Sequence, residues 1–187
     1  AHAETTRPGL ALAQDPADPS DLYNLTKLAG EALCLSDPRP EVRVVRLSNV
    51  YGPDPDPDTF LGQLLAEGFA TGRVTFRQAP ESAKDYLSLA DTVALLPRIA
   101  AHGRHRLYNL AAGVDVSHAA IARSLRDHFG WTTHFAPAAP VFRFPSIDIG
   151  LLTSEFSPPL SDLLLHLSTI GVRQEAPCSL STKRAVA

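Results

Sequence analysis

The sequence has 187 residues, 44% hydrophobic and 20% charged, with a formal net charge of −3. This length and composition fit one soluble domain, or two small lobes sharing a core. They supply no apolar run long enough to cross a bilayer as a helix and no excess of positive charge for nucleic acid; the two cysteines, Cys34 and Cys178, have neither metal-ligand nor disulfide-framework spacing.

The opening residues, Ala1-His2-Ala3-Glu4-Thr5-Thr6, contain no basic segment followed by an apolar stretch, so no signal peptide is expected. The sequence contains no methionine, and a fragment, a processed form or an incomplete gene model is the expectation. Residues 1–20 read as a loop ending in Asp15-Pro16-Ala17-Asp18-Pro19-Ser20, with Ser20 or Asp21 placed to cap a helix. That helix is expected over about 22–35, with Leu22, Leu25, Ala29, Ala32 and Leu33 at helical spacing and Asp37-Pro38 as the stop. Cys34 falls in this apolar stretch and reads as a small core residue; Cys178 lies in a polar tail.

Residues 42–47 form an apolar, β-branched run bounded by Pro40 and Gly52-Pro53, expected as a largely buried parallel strand. The alternating prolines and aspartates of 53–58 exclude regular structure, and Asp58 or Thr59 is expected to cap a helix that ends at Thr71-Gly72. Short strands are expected at 74–76 and 86–89, then a helix over 91–101 with Pro97 placed to kink it. A strand at 106–110, a helix over 118–129 capped by Ser117 and closed by Gly130, and a strand at 131–135 follow. Residues 151–167 look helical on either side of Pro158-Pro159, and 171–187 are polar and expected to be a disordered tail. Strands alternating with helices argue for α/β layers and a mostly parallel sheet.

Tyr23 and Lys27 stand four residues apart on the first helix, so their side chains leave one face. A free phenol has a pKa near 10, too high for an efficient base at neutral pH, and a neighbouring ammonium favours the phenolate. The pair therefore suits proton transfer. Its alternative is a surface lysine snorkelling past an aromatic ring.

Four segments carry a resemblance. Tyr23-Asn24-Leu25-Thr26-Lys27-Leu28-Ala29-Gly30-Glu31 resembles the Tyr-x-x-(Ser/Thr)-Lys-x-x-x-Glu helix of the extended short-chain dehydrogenase/reductases. Arg46-Leu47-Ser48-Asn49-Val50-Tyr51-Gly52-Pro53 is similar to that family's R-x-x-N-V-Y-G-P segment, and Lys84-Asp85-Tyr86-Leu87-Ser88-Leu89-Ala90-Asp91 to its R-D-Y-x-x-V-x-D element. Tyr108-Asn109-Leu110-Ala111-Ala112-Gly113 resembles the Y-N-(L/V)-x-x-G strand. The four occur in the family's order over about residues 15–170, and the chain is identified as a member of its NAD-dependent epimerase/dehydratase branch.

The resemblance implies the C-terminal portion of a Rossmann-like doubly wound parallel sheet with a small α/β substrate-binding lobe, residues 1–170 forming that portion and 171–187 the tail. It implies an enzyme acting on a nucleotide sugar by hydride transfer with NAD or NADP; with two unpatterned cysteines, a reducing cytoplasm is the default location. Tyr23 would be the general acid/base. Lys27 would hold the nicotinamide ribose beside it, and the backbone at Leu47, Ser48 and Val50 would approach the nicotinamide. Asn49 would meet the substrate's pyrophosphate region, with Lys84, where the family usually has arginine, and Arg77 as further diphosphate contacts. Lys84 is a point charge rather than a bidentate fork. Asn49 has a second reading, satisfying backbone groups in a turn. Arg46 reads as a buried structural cation, Asp91 as a helix N-cap, Asp85 as structural, and Tyr51 and Tyr108 as packing residues. The seven histidines show no ligand spacing, and no metal site is expected.

No Gly-x-x-Gly-x-x-Gly loop occurs in the sequence, so the pyrophosphate cradle at a helix N-terminus is not among these residues. The family's catalytic Ser or Thr would fall before Ala1. The resemblance allows a homodimer in the complete protein. Two other functions stay open at this point: a carbonyl reductase of the same family, and a truncated, non-catalytic remnant or complementing subunit.

Overall fold

In the computed structural model, which describes residues 19–54 and 56–170, the first helix α1 (Pro19–Ser36) begins on a proline. A missing N–H costs nothing at that position. Ser20 and Asp21, expected as caps, therefore lie inside the first turn. At the other end Arg106 donates to the carbonyls of Cys34 (2.9 Å), Leu35 (2.9 Å) and Asp37 (2.8 Å), so one guanidinium satisfies the carbonyls that a helix terminus leaves open.

The chain continues as β1 (Val44–Leu47), β2 (Asn49–Tyr51), α2 (Phe60–Thr71), β3 (Arg73–Phe76), β4 (Ala83–Ser88), α3 (Leu89–His102), β5 (Leu107–Leu110), β6 (Asp115–Ser117), α4 (His118–Phe129), β7 (Thr132–Phe135), α5 (Gly150–Phe156) and α6 (Leu163–Ile170). Hydroxyl side chains cap α2, α3 and α4. Thr59 accepts from the Gly62 N–H at 3.1 Å, Ser88 from Asp91 at 2.9 Å and Ser117 from Ala120 at 3.1 Å. Gly72 and Gly130, at φ +66° and +69°, close α2 and α4 in the left-handed conformation that glycine adopts without strain. Ser88, not Asp91, thus caps α3. The strand expected at 86–89 ends one residue early because Leu89 is already helical, and the Asp91 carboxylate accepts instead from the Ser161 N–H at 2.8 Å.

β1 pairs parallel with β5, Val44 opposite Leu107 and Leu47 opposite Leu110. β2 pairs parallel with β4, which pairs antiparallel with β6, and β3 pairs parallel with β7. β2 and β6, three residues each, have no counterpart in the sequence reading: too short for a periodicity, they are held in register by β4. β1 is half-buried rather than largely buried, with Leu47 exposed, since among the described residues it pairs with β5 alone. Cys34, expected in the core, is exposed: it lies on the side of α1 that faces a cavity.

Two apolar clusters hold these layers. One joins Leu61, Leu64 and Leu65 of α2 with Val74, Phe76, Ile121, Leu125, Trp131 and Leu167. The other joins Leu87, Leu95, Ile99, Tyr108, Leu110 and Leu152 beneath β5. Gly68 lies so close to the Trp131 indole that a Cβ there would stand 2.1 Å from a ring carbon. The α5 and α6 helices fall on either side of Pro158-Pro159, as expected; the loop expected over 1–20 gives way to helix at Pro19 and Ser20, and its residues 1–18 and the tail expected for 171–187 lie outside the described residues. No helix of the described residues is long and apolar enough to cross a membrane.

Candidate active site

Because α1 runs beside β1, its residues Tyr23, Lys27, Gly30, Glu31 and Cys34 line one wall of a cavity of about 580 Å³. The other walls come from the end of β1 (Arg46, Leu47), from Ser48 and Asn49, from Lys84 and Asp85 on β4, and from Asp115; Phe144, Pro145 and Ile147 border it from the segment before α5. The turn from β1 into β2 lies at the C-terminal end of a parallel strand, where α/β sheets commonly place ligands.

Tyr23 is 56% exposed, and the Lys27 ammonium sits over its ring, 5.0 Å from the centroid. A cation so placed is attracted by the negative face of the ring. The helix itself is fixed to the sheet by Glu31, whose carboxylate takes two bonds from the Arg46 guanidinium, at 2.9 and 2.5 Å, with both side chains mostly buried. A forked pair of this kind fixes direction as well as distance. Arg46 is thus the structural cation the sequence suggested.

Ser48 donates its N–H to the Leu110 carbonyl at 3.1 Å, extending the β1–β5 ladder by one bond, while its Oγ is buried without a partner. Asn49 donates Nδ2–H to the Asp85 carbonyl at 2.9 Å. The Asp85 carboxylate, 3% exposed, accepts from the N–H groups of Ala112 (3.0 Å), Gly113 (2.6 Å) and Val114 (3.2 Å). The ammonium of Lys84 stands 5.5 Å from the ring centroids of both Phe60 and Phe144, and burial holds its pKa below the usual lysine value. Asp115, directly across the ladder from Asp85, has its carboxyl pushed up by burial and by that neighbouring charge.

The structure therefore brings Tyr23, Lys27, Leu47, Ser48, Asn49 and Lys84 to one cavity. Val50 is not on its wall; it pairs with Leu87 inside the β2–β4 ladder. Arg77 lies just beyond β3, at a separate cavity of about 520 Å³ with Phe60, Gln63 and Gln78. Asn49 opens a strand rather than a turn, but does serve a backbone carbonyl. Tyr51 and Tyr108 are buried, and Tyr108 donates its hydroxyl to Glu155 at 2.7 Å. Phe144 and Asp115 were not legible as cavity residues, because neither belongs to a spaced motif and both reach the cavity through tertiary placement.

The α/β fold thus carries a helix-borne Tyr-x-x-x-Lys on the wall of this cavity. The sequence matches the NAD dependent epimerase/dehydratase family over residues 3–111, and the chain belongs to that family. The structure of TunA, described as an NAD-dependent NDP-hexosamine 5,6-dehydratase involved in tunicamycin biosynthesis, has a TM-score of 0.72 and 20% identity, covering 86% of this chain and 55% of that one. The dTDP-glucose 4,6-dehydratase of Bacillus anthracis, in complex with NAD, has a TM-score of 0.68 and 16% identity, covering 92% and 58%. MoeE5, in complex with UDP-glucose and NAD, has a TM-score of 0.65 and 24% identity, covering 81% and 56%. The chain spans a little over half the length of these solved structures. No curated protein sequence matches it.

Proposed function

We propose that this chain carries the Tyr–Lys side of an NAD(P)-dependent epimerase/dehydratase acting on a nucleotide sugar. The observation that carries the reading is the placement of Tyr23 and Lys27 on the same cavity as the β1–β2 turn and Lys84. Three of the solved structures similar to it hold NAD with UDP-glucose, NAD with UDP-glucuronic acid, and NADPH.

The residues present fit a nicotinamide riboside. Lys27 offers an ammonium and Tyr23 a hydroxyl from one helix face, and the buried, unpartnered Oγ of Ser48 stands at the end of the strand opposite. Tyr23, Lys27, Leu47 and Ser48 would hold it. When bound, it supplies the centre that takes and returns a hydride. Tyr23 Oη exchanges a proton with a sugar hydroxyl as that carbon is oxidised or reduced. Lys27 supplies the cation beside the phenol. Lys84 receives the substrate's diphosphate at the far wall, where its half-buried charge is worth more than at an open surface, and Asn49 contacts the same region.

Tyr23→Phe tests the assignment in the active protein. It removes the relay oxygen at an exposed position and leaves the packing intact, so turnover should fall by roughly two to four orders of magnitude while the melting temperature holds. Turnover near the wild-type rate would remove Tyr23 from the mechanism.

A further inference from the structure

Asp85 makes more connections than a strand residue requires. Its carboxylate gathers the three consecutive amides of Ala112, Gly113 and Val114, and its own carbonyl receives the Asn49 side chain. Bonds from backbone amides to an ionised, buried carboxylate are among the stronger ones a protein makes. The turn they hold has a second contact. Gly113, at φ +76°, brings the chain so near Ile149 that a Cβ would stand 2.6 Å from its Cδ1. Asn109, on the strand entering that turn, donates to the Asp148 carbonyl at 2.9 Å. Ile149 and Asp148 end the segment that carries Phe144, one of the two rings flanking the Lys84 ammonium.

We infer that Asp85 is a positioning residue for the anion site. Its backbone carbonyl holds Asn49 on β2, and its buried carboxylate holds the 112–114 turn and, through Ile149, the Phe144 ring that flanks Lys84, its neighbour on β4. The three groups come from distant parts of the chain, and a buried network of this kind acts as a unit rather than as separate bonds. The inference rests on the reading that Lys84 meets a diphosphate, and two readouts separate it from that reading.

The first is a double-mutant cycle on the 187-residue chain with Asp85→Asn and Lys84→Met, using UDP as the probe in isothermal titration and recording melting temperatures alongside. Asn keeps one acceptor oxygen but turns an N–H₂ toward amides that need acceptors. Asp85→Asn should weaken UDP binding about tenfold with Lys84 present and less than twofold on the Lys84→Met background, since residues acting through one another do not add. A lower melting temperature with an unchanged dissociation constant, or an equal loss on both backgrounds, makes Asp85 structural only and overturns the proposal. Gly113→Ala perturbs the same link without touching the carboxylate and should also weaken UDP at least threefold; unaltered affinity there counts against it too. The second readout needs no ligand: Asp85→Asn should hasten hydrogen exchange at Ala112, Gly113 and Val114 and shift the Phe144 ring resonances. If the wild-type chain fails to bind UDP, the diphosphate reading falls, and these resonances decide the positioning role: unmoved, they overturn it.

Discussion

His118 offers a measurable pH dependence whose sign follows from its surroundings. Its imidazole is fully buried, stacked on Phe60 with ring centroids 4.5 Å apart and planes 18° apart, and neither ring nitrogen has a hydrogen-bond partner. Burial, and then the Lys84 cation, lower its pKa from 6.5 to about 4. Above pH 6.5 the ring is neutral in both folded and unfolded chains and contributes no pH dependence. Below it the unfolded chain takes up a proton that the folded one refuses, so stability falls as the pH drops from 6.5 towards 4. By proton linkage the loss is about 2 kcal/mol at pH 5 and about 3 kcal/mol at pH 4. His118→Phe keeps a planar ring against Phe60, gives up no hydrogen bond and removes the titration. Urea unfolding at pH 7.5 and pH 5 is the assay. The variant should lie within about 1.5 kcal/mol of wild type at pH 7.5 and lose about 2 kcal/mol less between the two pH values. Equal losses would assign the acid sensitivity to other groups and refute the argument from burial.

Lys84→Ala in the active protein should raise the KM for a nucleotide sugar with little change in kcat, since a phosphate contact made equally in ground and transition states is uniform binding; an unchanged KM with lower thermal stability would leave only a packing role between Phe60 and Phe144. Gly68→Ala drives a methyl into the Trp131 ring and should destabilise by about 1–3 kcal/mol, read as a lower urea midpoint, and an unaltered midpoint would contradict the contact. The isolated 187-residue chain should bind NAD or NADP far more weakly than low micromolar and should self-associate, because among the described residues β1 is paired on one side only and Leu22, Leu25 and Leu33 of α1 are exposed. Calorimetry and light scattering check this, and a monodisperse monomer with tight cofactor binding would disprove it.

What the sequence made legible follows from how locally each signal acts. Thr59, Ser117, Gly72 and Gly130 cap helices through bonds within a turn of themselves, so α2 and α4 could be bounded closely from residue type. The Tyr23–Lys27 pair was legible for the same reason, since four residues on a helix fix a common face. Ser88 was passed over for Asp91 because both residue types cap helices, and the Ser161 amide that engages Asp91 comes from 70 residues away. Cys34 was misplaced because helical periodicity reports which residues share a face and not which face is covered. Arg77 was placed with Lys84 by nearness in sequence, yet the turn after β3 carries it to another cavity. The shared role of Asp85 was beyond reach, because its partners at 49 and 112–114 meet it only when three strands come together.

The anchoring of α1 has a mechanical consequence. Arg46 and Arg106 grip the helix at Glu31, Cys34 and Leu35, whereas the phenol is carried by Tyr23, two turns or more towards the other end. At 1.5 Å per residue the lever from Glu31 to Tyr23 is about 12 Å long, so a 5° pivot at the grip would sweep the hydroxyl-bearing end through about 1 Å. Displacements of that size separate a productive proton-transfer geometry from an unproductive one. On the role proposed for Tyr23, substitutions at Glu31 or Arg46, which lie outside the proton relay, are expected to lower the rate.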